Sequence, residues 1–193
     1  VLHLGKSAAG GTGEHAGPPR YYVSQGAGPQ SQNLVTAVRA RASGRVTAVV
    51  GNPLPGSSCG QGNVPVAAAT NQAFFMICSI WRQAPGRPRG AGLPRRPGKI
   101  TSIESRIYRF QVTGSGRISG YSLVKGSTLS GWAVSIAAAP DGSEVAVEVV
   151  QPSRSGQMAT NEAPEGIFVI NTRTGARALW RNGPYVPGAL QYA

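Results

Sequence analysis

The residues that invite a chemical reading are the basic ones. Arg82 to Lys99 carries Arg82, Arg87, Arg89, Arg95, Arg96 and Lys99, with four prolines and no acid. Prolines this dense prevent helix and interior strand alike, so the stretch is expected to be an exposed, polyproline-like loop. A loop of this kind could bind an anionic polymer, nucleic acid or cell-wall material, through phosphate contacts whose affinity falls steeply with salt. Trp81, just ahead of it, could stack a base, although packing at a strand end is the ordinary role of such a residue. The whole chain leans the same way, with 19 basic residues against 7 acidic and a net charge of +12. The alternative is an arginine-rich composition spread over hairpins and serving solubility, because helical basic stripes and clustered aromatics are both missing.

Catalytic and metal-binding patterns are absent. A serine triad needs a positioned base, and the two histidines, His3 and His15, lie in a patternless Gly-rich start. The acids are Glu14, Glu104, Asp141, Glu144, Glu148, Glu162 and Glu165. Asp141 and Glu144 flank a turn, Glu148 takes an alternating strand position, and Glu162 and Glu165 sit on a Pro-containing loop. None of these makes the facing carboxylate pair of a glycosidase or a cation site. Gly5-Lys6-Ser7 lacks the earlier glycine and the following helix of a phosphate loop. No enzyme, no cofactor and no metal are therefore expected. Cys59 and Cys78 are read as one disulfide, which suits an exported protein; two buried thiols would satisfy the same count, and a zinc site without a nearby histidine is disfavoured.

The elements that must position these residues read as short strands. Gly and Pro number 27 and 15 of 193 residues, which disfavours long helices. Tyr21 to Gln25 is a strand, Gly26 to Gln32 a loop, and Asn33 to Arg41 turns on Ala42-Ser43-Gly44 into Arg45 to Val50. Val64 to Ala69 and a polar turn precede Phe74 to Trp81, which is apolar on both faces and so suits a central strand. Ile103 to Val112 turns through Thr113-Gly114-Ser115-Gly116 into Arg117 to Val124. Val134 to Ala139, Glu144 to Val150, Gly166 to Ile170 and Ala176 to Trp180 form one four-stranded unit joined by hairpin signals. No run is long enough to cross a membrane, which takes about 20 residues. The first residue is Val, so either a leader or anchor has been removed or the chain is a piece of a longer one.

Two patterns recur in fixed order, as in repeat architectures. Val66-Ala67-Ala68-Ala69 and Ile136-Ala137-Ala138-Ala139 stand 70 positions apart, each before a polar turn. Hairpins turning on Gly44, Gly116 and Gly175 are spaced by 72 and 59 residues, wider than compact blades because of long loops. Ala139-Pro140-Asp141-Gly142-Ser143-Glu144-Val145-Ala146 resembles the Ser-Pro-Asp-Gly turn of WD-repeat-like and TolB-like β-propellers, with Ala139 for Ser and Val145 for Leu. Asn171-Thr172-Arg173-Thr174-Gly175 is similar to the outer hairpin of those blades. With Pro19 to Val23, Phe74-Phe75 and Arg106 to Phe110, the pattern resembles propeller domains of high-GC Gram-positive envelope proteins. The Trp-Asp pair is absent, since Arg181 follows Trp180.

The resemblance implies an all-β fold of four-stranded antiparallel blades forming an incomplete propeller. Residues 1–20 would be a flexible tail. A partial blade would span 21–50, a blade 64–124 with the basic loop 82–102, another 132–181, and the start of a further blade 185–193. It implies a non-catalytic extracytoplasmic binding or scaffold module at the cell envelope. Its partners would be protein or further blades, with homo-oligomerisation as a way to cover open edges.

Overall fold

A computed structural model describes residues 20–28, 31–54, 66–70, 72–86, 100–150 and 164–180. The described chain is all-β, with every strand pair antiparallel. Three meanders follow one another. The first sheet comprises β1 (Tyr21–Gly28), β2 (Ser31–Ala40) and β3 (Val46–Val49). The middle sheet runs β4 (Val66–Ala68), β5 (Ala73–Gln83), β6 (Ile100–Val112) and β7 (Ile118–Leu123), with β8 (Leu129–Ser130) paired to β6. The last sheet contains β9 (Trp132–Ala138), β10 (Glu144–Val150), β11 (Pro164–Asn171) and β12 (Arg177–Trp180). No closed barrel or ring forms among these residues.

Alternation along β5 and β6 explains how the sheets stack. Successive side chains point to opposite faces, and here both faces are apolar. Phe75, Ile77 and Ile107 pack with Ala133, Ile136, Val145, Val147 and Ile170 of the last sheet. Phe74, Met76, Cys78, Tyr108 and Phe110 pack with Val38 and Val50 of the first sheet and its flank. The middle sheet is thus sandwiched between its neighbours, with two apolar cores, one on each face. Phe74 and Phe110 stack at 5.4 Å across the β5–β6 pair. The Tyr121 hydroxyl, on β7, accepts a hydrogen bond from the Gly51 N–H at 2.6 Å, and burial pushes its phenol pKa up.

The pairs β2–β3, β6–β7 and β11–β12 each meet in a hairpin whose glycine takes positive φ: Gly44 (65°), Gly116 (78°) and Gly175 (78°). Side-chain oxygens close the turns. Asn171 Oδ1 accepts from the Thr174 N–H at 2.9 Å, and Asp141 Oδ1 from the Ser143 N–H at 3.0 Å. This is local turn chemistry that Asx residues supply cheaply. Two of the three hairpins also press on the preceding sheet. A Cβ on Gly116 would lie 2.6 Å from Thr47 Oγ1 and from the Tyr21 ring, and a Cβ on Gly126 would strike the Gly175 carbonyl oxygen. Thr47 Oγ1 in turn donates to the Gly116 carbonyl at 2.9 Å.

Buried hydroxyls tie the middle sheet to the last at Ser105 and close its own flank at Ser127. Ser105 Oγ donates to the Gly131 carbonyl at 2.9 Å, accepts from the Ala133 N–H at 3.0 Å and lies 2.9 Å from Ser79 Oγ. Ser127 Oγ donates to the Val124 carbonyl at 2.7 Å and accepts from the Ile107 N–H. Both serines are buried, and their polar atoms are satisfied, as burial demands.

Several expectations are corrected. Gly26 to Gln32 is not a loop: β1 continues to Gly28 and β2 begins at Ser31. Pairing of Gly26 with Val35 and Ala27 with Leu34 overrides the weak strand preference of these small residues. The loop placed at 82–102 is shorter, because Arg82 pairs with Ser102 and Gln83 with Ile100. Between the Arg117 to Val124 and Val134 to Ala139 readings, a short strand, β8, is added. The tail 1–19 and the segment 185–193 lie outside the described residues.

The two cores and the glycine joints make a paired expectation for chemical denaturation. Phe75→Ala should lower unfolding free energy by about 3–5 kcal/mol, whereas exposed Leu123→Ala should stay within about 0.5 kcal/mol. Gly44→Ala should cost only the left-handed backbone, about 1–2 kcal/mol. Gly126→Ala, which adds a collision with Gly175, should cost more than Gly44→Ala.

Candidate functional site

The hairpin register places the basic segment. Gln83 pairs with Ile100, so residues 84–99 leave and return at one end of the central pair β5–β6. The connection between β10 and β11, residues 151–163, leaves the corresponding pair of the last sheet. Of the candidate anion ligands, Arg82 is described. It is exposed on β5, and its carbonyl accepts a hydrogen bond from Thr101 Oγ1 at 3.2 Å. Arg87, Arg89, Arg95, Arg96 and Lys99 lie outside the described residues.

Trp81 does pack at the strand end. Its ring lies 5.5 Å from that of Trp132 on β9, tilted by 60°. Aromatic pairs of this kind contribute about 0.5–1.5 kcal/mol beyond burial. Both rings remain half-buried. The pair bridges the middle and last sheets at the root of the basic segment and leaves a partly open aromatic surface there. Sequence reasoning had Trp81 but missed its partner. The available signal was that each tryptophan closes or opens a strand, at Trp81 and Trp132.

The acids are dispersed. Glu104 Oε1 accepts from Arg106 Nε at 2.7 Å, an i,i+2 pair on one face of β6. That bond, with a second that Arg106 donates to the Tyr108 oxygen, holds the Arg106 guanidinium above its usual range. Asp141 serves its turn: bonds from the Ser143 hydroxyl and N–H hold its carboxyl below the ordinary 3.8. Glu144 begins β10. Glu148 is fully buried in the middle of β10, opposite Ser135 and Ile167. Its alternating position suggested nothing of this, because the face it shares with Ala146 and Val150 is covered as completely as the other. The side chain of Glu165, with Glu14, Glu162, His3 and His15, lies outside the described residues. Among the described residues no three His, Cys, Asp or Glu side chains converge as metal ligands. Cys78 is buried on β5, and Cys59 lies outside the described residues. No described helix is long and apolar enough to cross a membrane.

What this region can do chemically is contact a partner through charge and aromatic surface. No family model matches the chain, and neither does any curated protein or solved structure.

The Asp141 carboxyl gives a pH expectation with a defined sign. Its folded pKa lies below the unfolded one, so its contribution is complete above about pH 4 and is lost as pH falls through the lower folded value. The melting-temperature gap between the wild type and Asp141→Ala should stay constant from neutral pH to about pH 4 and narrow below it. A gap that does not change with acidification would refute this role.

Proposed function

We propose that the chain is a non-catalytic binding or scaffold module made of β-propeller-type blades and working on the outer face of the membrane. The observation that carries the reading is the stacking of three sequence-local antiparallel meanders, the middle one buried on both faces. Propellers tile such meanders about an axis. Further support comes from the likeness of the Pro140-Asp141-Gly142 turn and the Asn171 to Gly175 hairpin to TolB-like and WD-repeat-like blades, both of which form closed turns here. A pair of cysteines, read as the Cys59–Cys78 disulfide, supports an oxidising compartment. Partners on this reading are proteins or additional blades. Non-reducing peptide mapping is expected to recover Cys59 linked to Cys78, and two alkylatable thiols would count against the extracytoplasmic location.

A second reading rests on the corner of the middle sheet, where exposed Arg82 and the Trp81–Trp132 pair stand at the root of the basic segment. On it, the module holds an anionic polymer. The two readings separate in one titration of DNA and of a teichoic-acid-like polymer across a salt series. The scaffold reading expects weak binding that vanishes near physiological salt and is the same when Arg87, Arg89, Arg95 and Arg96 are changed to Ala. The polymer reading expects binding that persists, with a salt slope reduced by roughly 0.7–0.9 for each phosphate contact removed.

A further inference from the structure

The outer end of the β6–β7 pair departs from regular pleating. Arg109 and Gln111 follow Ile107 on one face of β6. Ile107 is covered by the last sheet, whereas Arg109 and Gln111 are exposed. Arg109 stands opposite Ser122 of β7. Beyond it the register slips. Phe110 pairs with Tyr121 and Val112 with Ile118, so Gln111 faces two residues, Ser119 and Gly120. This is a β-bulge, a device that re-aims side chains and is frequent beside functional sites. Gly120 takes φ 140°, a backbone that favours glycine, and a Cβ there would meet nothing within 4 Å. The bulge therefore opens a hollow on this face.

The hollow has a volume of about 310 Å³, at the lower end of small-ligand pockets. Around it stand Arg109, Gln111, Ser119 and Ser122. Phe110 and Tyr121 complete the lining, with their rings packed together at 5.8 Å. Among the described residues, none of the four polar side chains takes part in a hydrogen bond or an ion pair. A guanidinium fork, an amide and two hydroxyls thus keep their donors for something outside the protein. The charge nearby has one sign. Residues 105–140 include Arg106, Arg109, Arg117 and Lys125 and no acid. Glu104, just before them, is already held by Arg106.

We propose that this hollow binds the phosphoryl group of a small phosphate ester. A carboxylate offers two oxygens, and one guanidinium fork satisfies both. Here an amide and two hydroxyls surround the same space, enough to donate to a third oxygen. A phosphate monoester presents three strong acceptor oxygens and close to two negative charges, which suits a cation without an internal counter-ion. The rest of the volume holds the group that carries the phosphate. The site is separate from the corner at Arg82. Arg82 pairs with Ser102, seven positions before Arg109 on β6, which is roughly 24 Å at ~3.4 Å per residue. It rests on neither reading above and uses no residue of the basic segment.

Calorimetric titration of the full chain at low salt tests it, with inorganic phosphate, glycerol 3-phosphate and acetate as probes. Saturable one-to-one binding of both phosphates is expected, with acetate at least about tenfold weaker. Arg109→Gln and Ser122→Leu, each with an unchanged far-UV strand spectrum, should weaken phosphate binding by roughly 10- to 100-fold. Arg117→Gln removes the same charge from the adjoining hairpin, outside the hollow, and should leave binding unchanged. Changing Arg87, Arg89, Arg95 and Arg96 to Ala should also leave it unchanged, which separates this site from polymer binding at the basic segment. A wild type without saturable phosphate binding overturns the proposal. So does an equal loss in Arg109→Gln and Arg117→Gln, the mark of a diffuse charge effect, and so does acetate binding as tightly as phosphate.

Discussion

The two-sided burial of β5 and β6 is the constraint on which the remaining structure depends. A sheet with one wet face can stand alone with a single core. A sheet whose Phe75 and Phe74 faces are both apolar needs a neighbour on each side. Burying a side chain of this size contributes about 1.5–3 kcal/mol, and several such residues lie on each face. The first and last sheets therefore contribute less through their own hairpins than through the surface they cover. The short outer strands β3, β7 and β12 need less covering, and Val49, Leu123, Leu179 and Trp180 remain exposed on them.

Close backbone approach supplies the second level of order. Apolar contact is non-directional and would allow the sheets to slide or rotate. The joints do not. The Gly116 turn sits on Thr47 and Tyr21, and Gly126 meets Gly175 backbone to backbone. Ser105 gathers Gly131, Ala133 and Ser79 about one hydroxyl. These contacts tolerate little displacement, so they set the stacking that the apolar cores only favour.

Much of the fold was legible because strand and turn signals are local. Ile103 to Val112 could be read as a strand from its sequence, and the doubly apolar run from Phe74 announced a central strand. Turn chemistry at Asp141 and Asn171 could be read from residue type alone. What was not legible depended on pairing partners distant in sequence. Gly26 to Gly28 looked like a loop and became strand because β2 lies beside it. Arg82 looked like the start of a loop and is held in register by Ser102. At the candidate site, the basic composition was plain, whereas the Trp81–Trp132 contact, 51 positions apart in the numbering, needed the stacking of two sheets to exist. Burial of Glu148 was hidden for the same reason: its neighbours in sequence describe a strand face without saying what lies over it.

The doubly buried middle sheet also has a consequence for synthesis on the ribosome. Strands emerge in the order in which the sheets stack, so the first sheet is complete before Phe74, Met76 and Tyr108 arrive to cover it. The opposite side, with Phe75, Ile77 and Ile107, stays bare until residues 132–150 have left the exit tunnel. At ~5–20 residues per second that interval lasts seconds, and during it the nascent chain presents a bare apolar sheet face. Such a chain would draw on holdase chaperones for the period between the second meander and the third.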